Sequence, residues 1–405
     1  MNGVVGRRTF LALMGLAAAG CVTETRDGMT LWMWSGGLSE KSLEEATARF
    51  PGLRSLKAGA QFKAKLMTNL AGRSHVPDIT GLKGEDISAF FPNADQFADL
   101  KTLGADTFKP QYLDWKWQQG ITAEGRMIGF PIDTGPTGLY YRQDVFDRHG
   151  IKAEHLRTWE DYFDAGVAMK QDASMILNLR IVYNMAMAQS KRQLVDENKR
   201  YIGGDDHVRH AWDLAIKAHR LGINAAMQDG SPDVNAALTT GKVASMIGAS
   251  WAAADLKSGA PDSKGLWRVA PTPGGAANWG GSFLSITRYC REPEKAFKVI
   301  TWLLTPEQQV RGFLDLGLFP STPDAFASPD LRQPDEFFGG QIIVDTFAES
   351  AKQVPVAYLS PWEPRLAQLF YDELANVETV GKPPEEAWRD VQHKARRIAD
   401  HVGLA

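Results

Sequence analysis

Short apolar runs of strand length alternate with amphipathic stretches of helix length along most of this chain, and that alternation leaves few ways to build a core. Elements that alternate in this way pack as helices covering sheets, so the pattern specifies an α/β protein. Residues 29–34 (MTLWMW) read as a buried strand, 39–50 as a helix capped by Ser39, and 77–82 as the next strand. A tight turn is expected at 124–126, between 118–122 and 127–132. A second series begins with 137–141 (TGLYY) and continues through a helix from Thr158 and strands at 174–179, 243–248 and 267–271. The last third reads as helical. The segments 293–304 and 306–316 each open on proline, and 384–402 sets Ala387, Val391, Ala395 and Ile398 on one face.

Glycine and proline interrupt this alternation at three places: 133–136, 271–281 (PTPGGAANWGG) and 319–323 (FPSTP). A chain of 405 residues, 44% of them hydrophobic, holds enough apolar material for more than one core. Three breaks suit a chain that passes three times between two lobes.

Charge and cysteine content narrow the function. Lys+Arg 45 against Asp+Glu 48 leave no positive excess to collect a polyanion, so nucleic acid is not an expected partner. Two cysteines cannot build a disulfide framework or a four-sulfur metal site. At the start, Arg7 and Arg8 precede an uncharged run too short to span a bilayer, which ends in Ala18-Ala19-Gly20-Cys21. Residues 1–20 therefore read as an export signal of twin-arginine type. The Cys resembles that of a lipobox, which makes Cys21 the expected lipidation site and the membrane a partner through a lipid anchor.

Five features then occur in a fixed order: the export signal with its Cys; a first strand ending in Trp32-Met33-Trp34-Ser35; Val76-Pro77-Asp78-Ile79; the segment 129–146 (GFPIDTGPTGLYYRQDVF); and 241–251 (GKVASMIGASW). The ordered set resembles the extracellular solute-binding proteins of family 1, the maltose-binding-protein-like subunits of carbohydrate ABC importers. Residues 278–282 (NWGGS) and 305–309 (TPEQQ) fit the same family. The resemblance implies a two-lobed periplasmic-binding-protein fold of type II, with a ligand cleft between lobes joined by a multi-segment hinge. It assigns 27–132 with 283–319 to one lobe and 133–282 with 320–405 to the other. It also implies a sugar or oligosaccharide ligand, separate permease and ATPase subunits, a monomer, and no cofactor or metal.

A pyranose offers hydroxyls at its edge and C–H groups on its face, so its site needs polar groups and aromatic faces in a cleft that excludes water. Trp34 and Ser35 end the first strand, where open α/β sheets place ligand contacts. Lys83 and Glu85 follow the second apolar strand of the first half. Asp133 stands at the first break, able to bind a hydroxyl or to cap a turn. Asn178, Tyr183 and Asn184 fall where the maltose-binding relatives carry an acid and an aromatic; Ile181 takes the acid's place, a departure from the maltodextrin pattern. Trp251 matches the family position whose Trp stacks on a sugar ring. Trp279, Gly280 and Gly281 form a loop through which backbone amides can approach a ligand. Trp362 and Arg365 open a late helix and complete the candidate set, while Trp159 reads as structural.

Two other classes compete with this reading. A glycoside-acting enzyme would also have an aromatic cleft and carboxylate pairs, but residues 280–284 lack the closing glycine of a nucleophile elbow, and no phosphate loop or dinucleotide fingerprint occurs. A binding protein for a non-sugar solute is the other. His207 and His210 share a helix face beside Asp205 and Asp206, and an acid there is expected to cap the helix and not to hold metal.

Overall fold

The computed structural model describes residues 28–59, 61–228 and 231–405. The export signal and Cys21 lie outside the described residues. Two sheets organise the chain. The larger has six strands in the order β2 (Leu53–Lys57), β1 (Met29–Met33), β3 (Ile79–Lys83), β8 (Ser282–Ile286), β4 (Phe130–Thr134) and β9 (Phe319–Pro320). The smaller has three, β6 (Ser245–Ala249), β5 (Thr137–Arg142) and β7 (Trp267–Pro271). Parallel pairing of β1 with β2 and β3 follows from helical crossovers, Glu40–Arg49 and Phe62–Gly72. The strand β8 returns antiparallel between β3 and β4, so a late segment completes the sheet that the first hundred residues begin.

Each sheet has its own core. Leu31, Ile79, Phe130, Leu284 and Ile300 are buried together in the first lobe, whereas Leu139, Phe163, Val182, Trp212 and Phe370 belong to the larger core of the second. The chain passes between them after Thr134, before Ser282 and after Pro320. These crossings pair with one another: Pro136 bridges Asn278, Ser282 lies opposite Asp133, and Asp133 lies opposite Pro320. The Gln309 side chain fastens the third, its carbonyl oxygen accepting from the Ser321 amide (2.7 Å) and the Thr322 amide (3.2 Å).

One short helix, Asp114–Gln119, straddles the lobes. Trp115 packs in the second core and its indole donates to the Ala351 carbonyl (2.8 Å), while Trp117, two residues on and so on the other side of the helix, packs in the first.

Several sequence expectations change. The strand expected at 174–179 reduces to bridges at Ser174 and Ile176, because Asn178 starts the Leu179–Ala188 helix: its side chain accepts from the Ile181 amide. Ser39 occupies the N-cap position of Glu40–Arg49, yet its hydroxyl bonds Asp315 (2.5 Å) and not a helix amide. Asp205 likewise stands before Asp206–Leu221 with its carboxylate on Arg192 (2.6 Å). In both cases a tertiary partner outcompetes the local cap. Residues 118–119 end a helix, so the expected turn joins only the Ile121–Met127 bridge. Thr158 does cap Trp159–Met169, in a reciprocal box with Asp161.

Candidate functional site

A cavity of about 380 Å³ opens between the lobes, within the roughly 300–1,000 Å³ of small-molecule sites. Its first-lobe wall is the loop after β3, with Gly84, Glu85 and Asp86, and Trp115 and Gln119 of the straddling helix line it as well. Asn278, Trp279 and Gly280 of the second crossing form its back. The opposite wall consists of two helical faces. Arg180, Tyr183, Asn184 and Met187 recur at helical spacing on Leu179–Ala188, and Glu363, Ala367, Gln368 and Tyr371 on Glu363–Ala375.

Backbone geometry explains why the crossing can lie so close to the loop. The Gly84 amide donates to the Gly281 carbonyl (2.7 Å), and a Cβ on Gly84 would stand 2.5 Å from the Gly280 oxygen. Gly280 and Gly281 both take left-handed backbone angles, φ +87° and +79°, which side chains disfavour. Asn278 holds the curve from inside, accepting from the Gly135 amide (2.8 Å) and donating to the Gly280 carbonyl (3.1 Å).

The second-lobe wall is ordered by its own contacts. Tyr183 stacks on Phe370 with centroids 5.4 Å apart and planes 11° apart. The Tyr371 hydroxyl donates to the Asn184 side-chain oxygen (2.9 Å), and the Arg180 guanidinium lies 4.7 Å from the Tyr371 ring centroid. Glu363 begins its helix, where the dipole favours an acid, and both its oxygens accept from the Leu194 amide (3.0 and 3.2 Å). Burial nevertheless pushes its carboxyl up to about 8, the Leu194 and Val195 amides only partly offsetting this. Enclosure raises Glu85 as well, opposed by Lys83. Two buried polar atoms in the lining, Tyr183 Oη and Gln119 Oε1, have no hydrogen-bond partner among the described residues.

Of the residues singled out in the sequence, the structure brings Glu85, Tyr183, Asn184, Trp279 and Gly280 together around this cavity. The others lie outside its wall. Trp34 packs edge-on against Phe62 (5.4 Å) beneath the Lys83 ammonium, and Ser35 is exposed in the following turn. Asp133 is 4% exposed, accepts from the Ser282 hydroxyl and faces buried Lys116, so it belongs to the crossing. Asn178 is a helix cap, held also to the Met227 carbonyl. Trp251 lies edge-on to Trp279 (5.8 Å, 73°), its indole donating to the Trp279 carbonyl (3.3 Å). Gly281 turns the crossing beneath Asp133 and Lys116. Trp362 packs against the second core with its amide on Ser360, and Arg365 is exposed on the next turn. His207 Nε2 lies 2.9 Å from the Gln193 carbonyl oxygen.

Sequence reasoning missed Trp115, Gln119, Arg180, Glu363 and Tyr371. The signal for three of them was present: 180, 183, 184 and 187, and 363, 367 and 371, repeat with the period of a helix face. For Trp115 and Gln119 no such signal existed, because the cavity reaches them only through lobe packing.

The family model of the bacterial extracellular solute-binding proteins matches residues 56–339. The chain belongs to that family. A lactose-binding protein of Rhizobium radiobacter is 25% identical over 98% of this chain and 97% of its own length. A solved extracellular solute-binding protein of family 1 superposes with a TM-score of 0.85, at 29% identity over 92% of this chain and 99% of that one. The galacto-N-biose/lacto-N-biose I-binding protein of a Bifidobacterium longum ABC transporter, solved with lacto-N-biose, has the same fold at a TM-score of 0.79 and 17% identity, covering 92% of this chain and 98% of its own. The fold is the type II periplasmic-binding-protein fold expected above, and the relatives are binding proteins.

Proposed function

We propose that this protein is the exported sugar-binding subunit of an ABC import system, capturing a saccharide between its lobes and presenting it to a separate permease and ATPase. The observation that carries the reading is the interlobe cavity itself. Its walls come from both lobes, its back from a crossing, and its lining mixes indole and phenol rings with amide and carboxyl groups, the combination a sugar's faces and edges require. The sugar-binding relatives span nearly the whole chain, which supports the same reading.

A ligand that touches both walls favours the closed arrangement by as much as it binds that arrangement better than the open one. Glu85 and Asp86 on one side, with Tyr183, Asn184, Arg180, Glu363 and Tyr371 on the other, are the contacts that supply this difference, and Trp115 and Trp279, packed with the second core, complete the lining. Thermal-shift screening of residues 21–405 against lactose, lacto-N-biose, arabino-oligosaccharides and maltose tests the proposal. A binding sugar raises the melting temperature by mass action, and at saturation should shrink the protein in small-angle scattering. No shift with any carbohydrate overturns the sugar reading, and unchanged dimensions at saturation overturn closure.

The same reading makes Cys21 the lipid-bearing first residue of the exported chain. No described helix is long and apolar enough to cross a membrane. Replacement Cys21→Ala should move the protein from the membrane fraction to the soluble one; a variant that remains bound like the parent removes the anchor from the proposal.

A further inference from the structure

The cavity has two chemically different ends, and the packing of its helical wall fixes which residues share each. Tyr371, near the end of Glu363–Ala375, bonds Asn184 and lies under Arg180, near the start of Leu179–Ala188. Glu363, at the start of its own helix, accepts from Leu194, just beyond the end of the other. The two helices therefore run in opposite directions along the cavity. At one end stand Arg180, Asn184 and Tyr371, faced by Gly84, Glu85 and Asp86 of the first lobe. Glu85 is within electrostatic reach of both Arg180 and Tyr371, so this end is polar on both walls. Toward the other end the same helices turn apolar, with Met187 and Ala188 on one, Pro364 and Ala367 on the other, and Leu194 beside them.

The segment that leads into Glu363–Ala375 continues this apolar end. Residues 354–359 (VPVAYL) form neither helix nor strand, and Val354, Pro355, Ala357 and Leu359 line the cavity. Trp115 stands at the start of the segment with its indole N–H on the Ala351 carbonyl (2.8 Å), so what it offers the cavity is ring carbon. The polar groups nearby are engaged. Gln193 donates its amide to the Met187 and Ser190 carbonyls (3.1 and 3.2 Å), and Glu363 accepts from the Leu194 amide. At the polar end, by contrast, the Arg180 guanidinium has the Tyr371 ring for a neighbour and no hydrogen-bonded acid among the described residues.

A free saccharide is hydroxylated around its whole edge. Filling both ends with one would press hydroxyls against Met187, Val354, Leu359 and Ala367, where each gives up water and gains no partner. A ligand with hydroxyls at one end and hydrocarbon at the other avoids that cost, and covering its hydrocarbon is favourable in proportion to the area removed from water.

We propose that the apolar end is a subsite for an aglycone, so that this protein takes glycosides whose anomeric oxygen carries an aryl or alkyl group. The sugar hydroxyls lie with Arg180, Asn184 and Tyr371, and the hydrocarbon lies between the 354–359 segment and the Met187 and Ala367 faces. The inference rests on the sugar-binding reading and narrows its ligand class.

The test is calorimetric titration of residues 21–405 with methyl and phenyl glycosides of galactose, glucose and arabinose in both anomeric forms, beside lactose, lacto-N-biose, arabino-oligosaccharides and maltose. In at least one series the phenyl compound should bind about tenfold or more tighter than the methyl compound, with a more negative heat-capacity change, the mark of buried apolar surface. Leu359→Asn should cut that phenyl-to-methyl ratio at least about fivefold, whereas Asn184→Ala should weaken both compounds together and keep the ratio. Phenyl compounds no tighter than methyl ones in every series, a ratio unmoved by Leu359→Asn, or a ratio abolished by Asn184→Ala would each overturn the proposal. Should Leu359→Asn fail to fold, Ala357→Asn on the same segment takes its place. Binding of the unsubstituted sugars with no preference for phenyl glycosides removes the aglycone subsite and leaves the sugar reading standing. No binding by any of these compounds defeats the sugar reading and the inference with it.

Discussion

The crossing and the cavity hold their ionisable groups differently. At the crossing, Lys116 of the straddling helix is fully buried, its ammonium 3.7 Å from the Phe283 ring centroid, and Asp133 is buried beside it with the Ser282 hydroxyl as donor. Desolvation pulls Lys116 down and Asp133 up, and each opposes that shift in the other. In the cavity wall Glu363 is half-buried, with backbone amides and no basic partner among the described residues. Where the lobes are joined, Asp133 has the Ser282 hydroxyl while the buried Lys116 ammonium has no hydrogen-bond partner among the described residues; where they part, Tyr183 Oη and Gln119 Oε1 leave hydrogen-bonding capacity for a guest.

The largest expected effect tests the crossing. Asp133→Ala removes the carboxylate whose charge opposes the desolvation of buried Lys116 and leaves the Ser282 hydroxyl without this acceptor, which should cost about 3 kcal/mol of stability in a denaturant melt. Combining it with Lys116→Met should recover most of that loss. A single variant within about 1 kcal/mol of the parent would show that Asp133 and Lys116 do not compensate one another.

Next in size is the aromatic wall. Trp279 lines the cavity and Trp251 leans edge-on against it, so Trp279→Ala should cost about 2 kcal/mol in sugar affinity, more than tenfold, by calorimetric titration. Trp251→Ala should weaken binding less and fold stability more. The reverse order would return Trp251 to the role its sequence position suggests and redraw the wall.

The smallest effect sharpens the contrast through pH. A carboxyl held above its unfolded value keeps its proton in the native state, so the native chain binds more protons and stability falls as pH rises from the ordinary carboxylate range through about 8. Glu363→Gln should remove that fall, a gain on the order of 1 kcal/mol at pH 9 for a group that water partly reaches, with little change at pH 4. Equal melting curves for parent and variant across this range would mean that Glu363 is not held protonated by the fold.

Much of the architecture was legible in the chain. The period of the apolar residues marked most of the strands and helices, because a half-buried strand and an amphipathic helix need different spacings whatever they later touch. The three glycine- and proline-rich breaks coincide with the three crossings, since a chain leaving one layered core for another must end its elements there. The strand expected at 174–179 failed because its apolar run serves two elements, a pair of bridges and then a helix that Asn178 starts.

The site was less legible, for a physical reason. Sequence determined which helix faces would carry aromatic and amide groups, and it set the glycines at 280 and 281 that let the crossing turn against the loop after β3. It could not determine which faces would meet. Trp34 follows a strand in the position expected of a ligand contact, yet lies edge-on to Phe62 outside the cavity wall; Glu363 stands unmarked beside Trp362, yet lines the cavity. Spacing along the chain fixes a side chain's direction from its own element, while burial, desolvation and the partner opposite depend on residues one or two hundred positions away, and those only the packing of two lobes across three crossings decides.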